Sequence, residues 1–324
     1  MGWFKLRVLR SVFAAVALAV GLAPGFEAGG ARAAEPLTVL LDWFVNPDHA
    51  PLVVAGQLGF FKDAGLEVRL VAPADPNDPP KLVAAGQADV AITYQPQLHL
   101  QIAAGLPLVR IATLIDTPLN SLMVLADGPV RTLADLKGRR IGFSVSGFED
   151  ALLATMLGQA GLGLKDTTLI NVNFALAPAL LTGQVDAVIG AFRNVEFNQI
   201  ALEGHPGRLF LPEESGVPAY DELILVTSQA RLGDPRLPRF LGALERGALQ
   251  VVNHPDESWA AFVAAEPSLD DALNRRAWAA TVSRFAHSPA ALDPGRYDRF
   301  AQYLKERGLI ETVPPVASYA VAGR

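Results

Sequence analysis

The chain contains no cysteine in its 324 residues. Disulfides, thiolate metal sites and cysteine nucleophiles are therefore excluded, as is the cysteine that carries the lipid of an exported lipoprotein. Histidine is sparse. The five histidines, at 49, 99, 205, 254 and 287, lack metal-ligand spacing. Lys and Arg number 27 against 33 Asp and Glu, a net charge of −6, and no basic stripe offers a nucleic-acid footprint. No Walker loop, Gly-x-Ser-x-Gly elbow or His-x-x-x-His pair occurs. Long apolar runs are missing too. The stretch from Ser11 to Pro24 is interrupted by Gly21 and falls short of the roughly 20 residues that cross a bilayer.

That short run still carries information. Lys5, Arg7 and Arg10 precede it, and small residues ending in Ala31-Arg32-Ala33 follow it. A basic leader, a short apolar segment and an A-x-A site predict a secretory signal peptide over residues 1–33, cleaved after Ala33. The expected product is a periplasmic protein without a lipid anchor. A mature chain of this size usually divides into two cores, and a hydrophobic fraction of 51% is enough to fill both.

Short β-branched runs alternate with helical stretches, the pattern of a parallel sheet with crossover helices. Leu37–Leu41 reads as a strand, Pro47–Phe61 as one helix, Leu66–Val71 as a strand. Lys81–Ala85 reads as a helix stopped by Gly86, and Asp89–Ile92 as a strand. A partial repeat organises the chain. Leu82-Val83-Ala84-Ala85-Gly86-Gln87-Ala88-Asp89 is echoed by Leu180-Leu181-Thr182-Gly183-Gln184-Val185-Asp186, and the Ala64-Gly65-Leu66 junction by Ala160-Gly161-Leu162. Copies about a hundred residues apart suggest two similar α/β units, since solenoid repeats run to roughly 20–50 residues. The fold class expected is α/β with two lobes, each a mostly parallel sheet flanked by helices. Residues 34–126 and 221–324 form lobe one, 127–220 form lobe two, and the two chain crossings form a hinge. The segment from Pro235 to Gly308 reads as helical.

Ligands of open α/β sheets bind beyond the C-terminal ends of the strands. That rule nominates Asp42–His49 and Thr93–Gln97 from one lobe, and Ser144–Glu149 and Phe192–Glu196 from the other. Trp43, Tyr94, Phe148 and Tyr220 are candidates to stack on a flat ring. Asn46 and Glu196 are candidates to read its polar edge, because a carboxylate accepts two parallel N–H bonds from an amidine-like face. Ser144, Ser146 and Gly147 precede a helix, and their N–H groups form a candidate anion or carbonyl nest. Position alone leaves open whether Trp43 and Phe148 face a ligand or a core, and whether Asp48 and His49 only cap a helix. Asp89 and Asp186 are expected to stabilise the turns before their strands. No catalytic residue, metal or cofactor is expected.

The segment Leu41-Asp42-Trp43-Phe44-Val45-Asn46-Pro47-Asp48-His49-Ala50-Pro51 resembles the family of thiamine-pyrimidine-precursor proteins. The likeness continues through Gly59–Leu66, Asp89–Gln97, Ile141–Phe143, Gly147–Glu149 and Val195–Gln199. The family's bacterial members are transporter components binding a formylated aminomethyl-pyrimidine, and its fungal members are synthases of the pyrimidine phosphate. The resemblance implies a type II-like periplasmic-binding fold, with a ring held by Trp43 and Tyr94 and its edge read by Asn46 and Glu196. It further implies an ABC permease and its ATPase as partners, and a monomer is expected. This sequence departs from the synthase branch, whose cofactor-bearing lysine falls on Thr93 and whose histidine falls on Gln97. A pyridoxal phosphate aldimine needs an amine, which threonine lacks. A sulfonate or riboflavin is the alternative ligand, and Arg193 beside Glu196 leaves room for an anionic group.

Overall fold

A computed structural model describes residues 33–323. The expected signal peptide lies outside the described residues, apart from Ala33. The first sheet contains β1 (Glu35–Leu40), β2 (Leu66–Val71), β3 (Val90–Thr93), β4 (Leu108–Ile115) and, from far along the chain, β10 (Leu223–Ser228), in the order β2-β1-β3-β10-β4. The second contains β5 (Asn120–Leu125), β6 (Arg140–Phe143), β7 (Thr168–Asn171), β8 (Ala187–Phe192) and β9 (Gly207–Phe210), in the order β7-β6-β8-β5-β9. The first three strands of each sheet run parallel; the fourth position is filled by an antiparallel strand, β10 or β5.

The two sheets are built alike, and the repeated aspartate shows how. Asp89 accepts the backbone N–H of Thr38 in β1 at 2.8 Å, and Asp186 accepts that of Arg140 in β6 at 2.9 Å. Each carboxylate thus ties the third strand in the order of its sheet to the second, β3 to β1 and β8 to β6, a longer-range task than the turn stabilisation expected. Gly86 and Gly183 precede them at φ +76° and +70°, a left-handed conformation that glycine adopts without a Cβ clash.

Two boundaries differ from the sequence expectation. β5 was assigned to lobe one, yet it pairs with β8 and β9 in the second sheet. The first crossing therefore lies between Ile115 and Asn120, before Ala126. An apolar run such as Leu122-Met123-Val124-Leu125 suits the middle of either sheet, so only the pairing decides. The expected helix over Pro47–Phe61 is three pieces: a 3-10 turn Pro47–His49, a helix Ala50–Gln57 and a short helix Phe60–Asp63. Gly59, at φ +79°, breaks it.

Apolar side chains cover both faces of both sheets. The largest cluster joins Leu37, Val39, Leu225 and Leu223 to the C-terminal helices through Phe240, Leu244 and Phe300. Helix Arg236–Asn253 buries Leu237, Phe240, Leu241, Leu244, Ala248 and Val251, a helical stripe. It approaches helix Ala50–Gln57 so closely that a Cβ on Gly247 would stand 2.3 Å from the Pro51 carbonyl oxygen. This contact fixes the helix that follows the Asp42–Asn46 loop. No helix among the described residues is long and apolar enough to cross a membrane.

Candidate functional site

A cavity lies between the two sheets, at the C-terminal ends of β1, β3 and β8 and the start of helix Phe148–Gln159. Asp42, Trp43, Asn46, Tyr94, Phe148, Glu149, Leu176, Gly190, Phe192, Val195 and Glu196 line it. It holds about 420 Å³ of empty space, part of it open to solvent. The lining carries three carboxyl groups and four aromatic rings, and no Lys, Arg or His.

The β1 loop is organised by Asp42. This buried carboxylate accepts the Tyr94 hydroxyl at 2.9 Å and the His49 Nε2–H at 2.9 Å. The Asn46 backbone N–H donates to His49 Nδ1 at 3.3 Å, which leaves the ring proton on Nε2. Asn46 Oδ1 accepts the Asp48 N–H at 2.8 Å, and its Nδ2 donates to the Phe44 carbonyl at 3.1 Å. Asn46 therefore borders the cavity, but one amide hydrogen bond at each end already shapes the turn. His49 completes a capping box on the 3-10 turn, whose N-cap is Asn46, whereas the Asp48 carboxylate caps no helix and reaches across instead. Its Oδ1 accepts Asn194 Nδ2 at 2.6 Å and the Thr281 hydroxyl at 3.0 Å, joining the two sheets beside the cavity. Burial raises its carboxyl to about 6.

Aromatic rings form the walls. Tyr94 stacks on Phe148 at 4.8 Å, and Phe192 meets Tyr94 edge-on at 6.4 Å. Trp43 crosses from the β1 loop to meet Phe174 edge-on at 4.6 Å and packs on the apolar cluster of the second sheet. Glu196 opens helix Glu196–Leu202, and its Oε2 accepts the Phe192 N–H at 2.7 Å. Burial raises this carboxyl to about 7, with Asp48 and Asp42 adding to the effect. Glu149 is buried, accepts the Ser144 N–H at 2.8 Å, and is pushed well above the usual carboxyl range by burial.

Five nominated residues meet here: Trp43, Asn46, Tyr94, Phe148 and Glu196. The other four do not line the cavity. Ser144 and Ser146 donate their N–H groups to Glu149 and to Asn77 Oδ1, the latter at 2.9 Å, and Gly147 donates to Asp150 at 3.2 Å. The expected nest is filled by the protein's own side chains. Tyr220 is fully buried and packs edge-on against Phe300 at 5.5 Å, in the core of the first lobe. Asp42, Glu149, Phe192 and Val195 were within the nominated segments without being singled out as ligand contacts, and Leu176 and Gly190 gave no sequence signal. Arg193 is not free for an anion either. It grips both oxygens of Glu213 at 2.6 and 3.1 Å and the Leu119 and Asn120 carbonyls at 3.2 and 2.8 Å. Thr93 and Gln97 are both buried, and the Thr93 hydroxyl donates to Gln97 Oε1 at 2.6 Å.

Comparison with known proteins places this arrangement in a family. The chain is 52% identical over 290 residues to a Haemophilus influenzae protein named for thiamine biosynthesis, covering 89% of this chain and 92% of that one. It is 36% identical over 229 residues to the formylaminopyrimidine-binding protein of Halalkalibacterium halodurans, covering 70% and 69%. A Legionella pneumophila 4-amino-5-hydroxymethyl-2-methylpyrimidine phosphate synthase matches at 26% over 278 residues, 85% and 87% of the chains, so the synthase name is not confined to fungi. The fold matches the alkanesulfonate-binding protein of Xanthomonas axonopodis pv. citri with a TM-score of 0.70 at 20% identity, over 89% of this chain and 99% of that one. A Candida albicans protein described as having the generic periplasmic binding protein fold matches with a TM-score of 0.69 at 19% identity, over 89% and 97%. The two-lobed periplasmic-binding fold is thereby established, and with the NMT1/THI5-like family model matching residues 46–258, the chain belongs to that family.

Proposed function

We propose that this protein captures an aminopyrimidine of the formylaminopyrimidine type in the periplasm and presents it to the permease and ATPase of an ABC importer for thiamine salvage. The observation that carries the reading is the lining: three carboxyl groups and four aromatic rings without a cationic side chain. Such a cavity repels a sulfonate, which needs fixed positive charge or free N–H donors. It suits a flat ring with N–H groups on its edge. The candidate anion subsites, the Ser144–Gly147 nest and Arg193, are already occupied by Glu149, Asn77, Asp150 and Glu213.

In this reading Trp43 and Tyr94 flank the ring, and Glu196 accepts its N–H groups. The Phe192 N–H holds Glu196 Oε2, which leaves Oε1 as the acceptor for the ligand. A capture role, without catalysis, is supported by the same lining. It offers no lysine amine, and Thr93 and Gln97, at the positions the resemblance assigns to the synthase lysine and histidine, are bonded to each other. The lobes close by bending at the two crossings, Asp116–Leu119 and Ser215–Glu222.

Substitution of Glu196 tests the reading. In Glu196→Gln the amide oxygen must stay at the Phe192 N–H, so the new NH2 faces the ligand's N–H. That mismatch should cost about 2–4 kcal/mol, or roughly 30- to 1,000-fold in affinity for the formylated aminomethyl-pyrimidine. Unchanged affinity measured by calorimetry would remove Glu196 from recognition.

A further inference from the structure

Glu149 stands out among the three cavity carboxyl groups by its packing. Its carboxyl lies over Gly190, where a Cβ would come within 2.4 Å of Oε1 and 2.9 Å of Oε2. Gly190 sits inside β8 with φ +96°, and its N–H donates to Asn120 Oδ1 at 3.1 Å. A glycine in mid-strand weakens a sheet and often marks a close approach. Here the approaching group is this carboxyl, and any other residue at 190 would evict it.

The three carboxyl groups differ in what stabilises charge on them. Asp42 accepts two side-chain donors, Tyr94 and His49. Glu196 accepts the Phe192 N–H and is only partly buried. Glu149 is 3% exposed; the Ser144 N–H bonds its Oε2 and the Val145 N–H also lies against the carboxyl, but burial outweighs both. Around it stand Tyr94 and the acidic Asp42, Asp150, Glu196 and Glu222, and no cation lines the cavity. Three ionised carboxylates in one desolvated cavity repel one another strongly, so the most enclosed of them retains its proton.

We propose that Glu149, seated over Gly190, stands in the cavity as a neutral carboxylic acid and donates its Oε1–H to an acceptor atom of the ligand, a ring nitrogen or a carbonyl oxygen. With Ser144 N–H holding Oε2, Oε1 is the oxygen left for the ligand. Glu149 and Glu196 then form a matched pair of opposite polarity, both held by backbone N–H groups, one giving a proton and one receiving. The ligand class narrows to flat molecules with donors on one edge and an acceptor on another. The polarity of the pair rests on the reading of Glu196 above; the protonation of Glu149 does not.

Two measurements test it. Infrared difference spectroscopy of the unliganded protein at pH 8 should give a protonated-carboxyl C=O band that disappears in Glu149→Gln. Absence of the band, or its persistence in that variant, overturns the proposal whatever the ligand. Calorimetry with the formylated aminomethyl-pyrimidine should then show Glu149→Ala weakened roughly 10- to 100-fold, the loss of one buried donor. Glu149→Gln restores an N–H donor at Oε1 and should recover most of that loss, whereas Glu196→Gln should recover nothing relative to Glu196→Ala. Equal failure of Glu149→Ala and Glu149→Gln overturns the donor role. If the wild-type protein binds no aminopyrimidine, the ligand reading fails, and the infrared band alone decides the state of Glu149.

Discussion

Asp42 holds Tyr94 and His49 together, and Tyr94 in turn supports Phe148 and Phe192. One buried carboxylate thus sets the aromatic wall of the cavity. Trp43, next along the chain, is the ring with the greatest apolar area to offer a ligand. Trp43→Ala should weaken aminopyrimidine binding by about 2–3 kcal/mol through lost burial and ring contact, without changing the preference among aminopyrimidines; a changed preference in a competition titration would assign it polar recognition instead. At this scale the sequence was informative where a residue directly ends a strand or opens a helix, as Trp43, Tyr94, Phe148 and Glu196 do. Gly190 was not legible. A glycine within a strand acquires meaning only from the Glu149 carboxyl that folding lays across it. Tyr220, outside the strand-end segments and at the second crossing, lines no part of the cavity: position near a crossing does not say which way a ring turns, and this one turns to Phe300.

The elements repeat, and the repeated aspartates show how much each copy carries. Asp186 Oδ2 holds the Arg140 backbone, with the Arg140 guanidinium at 3.2 Å. Asp89 holds the Thr38 backbone and also pairs with Arg231 and Arg236 at 2.7 and 2.8 Å. Asp186→Ala should cost about 1–2 kcal/mol and Asp89→Ala more, because the partly buried Arg231 guanidinium loses its carboxylate and Arg236 loses one of two, keeping Asp234. Urea denaturation of the two variants measures this, and equal losses would contradict the asymmetry. The Gly-Gln-x-Asp echo made the repeat readable because a left-handed glycine and a strand-tying carboxylate each need one residue type at one place. The assignment of β5 to the second sheet was unreadable. Pairing with β8 and β9 is a long-range choice that no local pattern encodes.

For the whole molecule, the crossings are stapled from within. Glu222, at the end of the second crossing, accepts the backbone N–H groups of Leu119 and Asn120 at 2.5 and 2.8 Å, and Arg193 holds the carbonyls of the same two residues. Opposite the hinge, Asn77 bonds the Ser144 carbonyl and the Ser146 N–H, and Asn194 bonds Asp48. These contacts bridge the two lobes, and the proposed hinge motion would break them. Small-angle scattering should give a smaller radius of gyration when the site is saturated; an unchanged radius would contradict closure.

The folded chain also confines acid. Burial raises Asp48 to about 6 and Glu196 and Glu222 to about 7, against roughly 4 in an unfolded chain. A folded state that binds protons more tightly than the unfolded state loses stability as pH rises through that window, from about 4 to 7, and regains it on acidification. His99, lowered to about 3 by burial, acts with the opposite sign between about 6.5 and 3, and Asp135 and Asp234, lowered by the Arg131 backbone N–H and by Arg236, do so only below about 4. The three raised carboxyl groups together outweigh the single histidine between about pH 5 and 8. The unliganded protein should therefore melt at a higher temperature at pH 5 than at pH 8, and scanning calorimetry showing the reverse order would contradict the burial of these carboxyl groups.

The central claim is that a carboxyl-lined, aromatic cavity without cations captures an aminopyrimidine. The most direct measurement is isothermal titration of the purified wild-type protein, stripped of bound ligand, with the formylated aminomethyl-pyrimidine and, separately, with taurine and riboflavin. The pyrimidine should bind saturably at one site per chain, and taurine should give no heat. Saturable binding of taurine or riboflavin with no pyrimidine signal would contradict the claim.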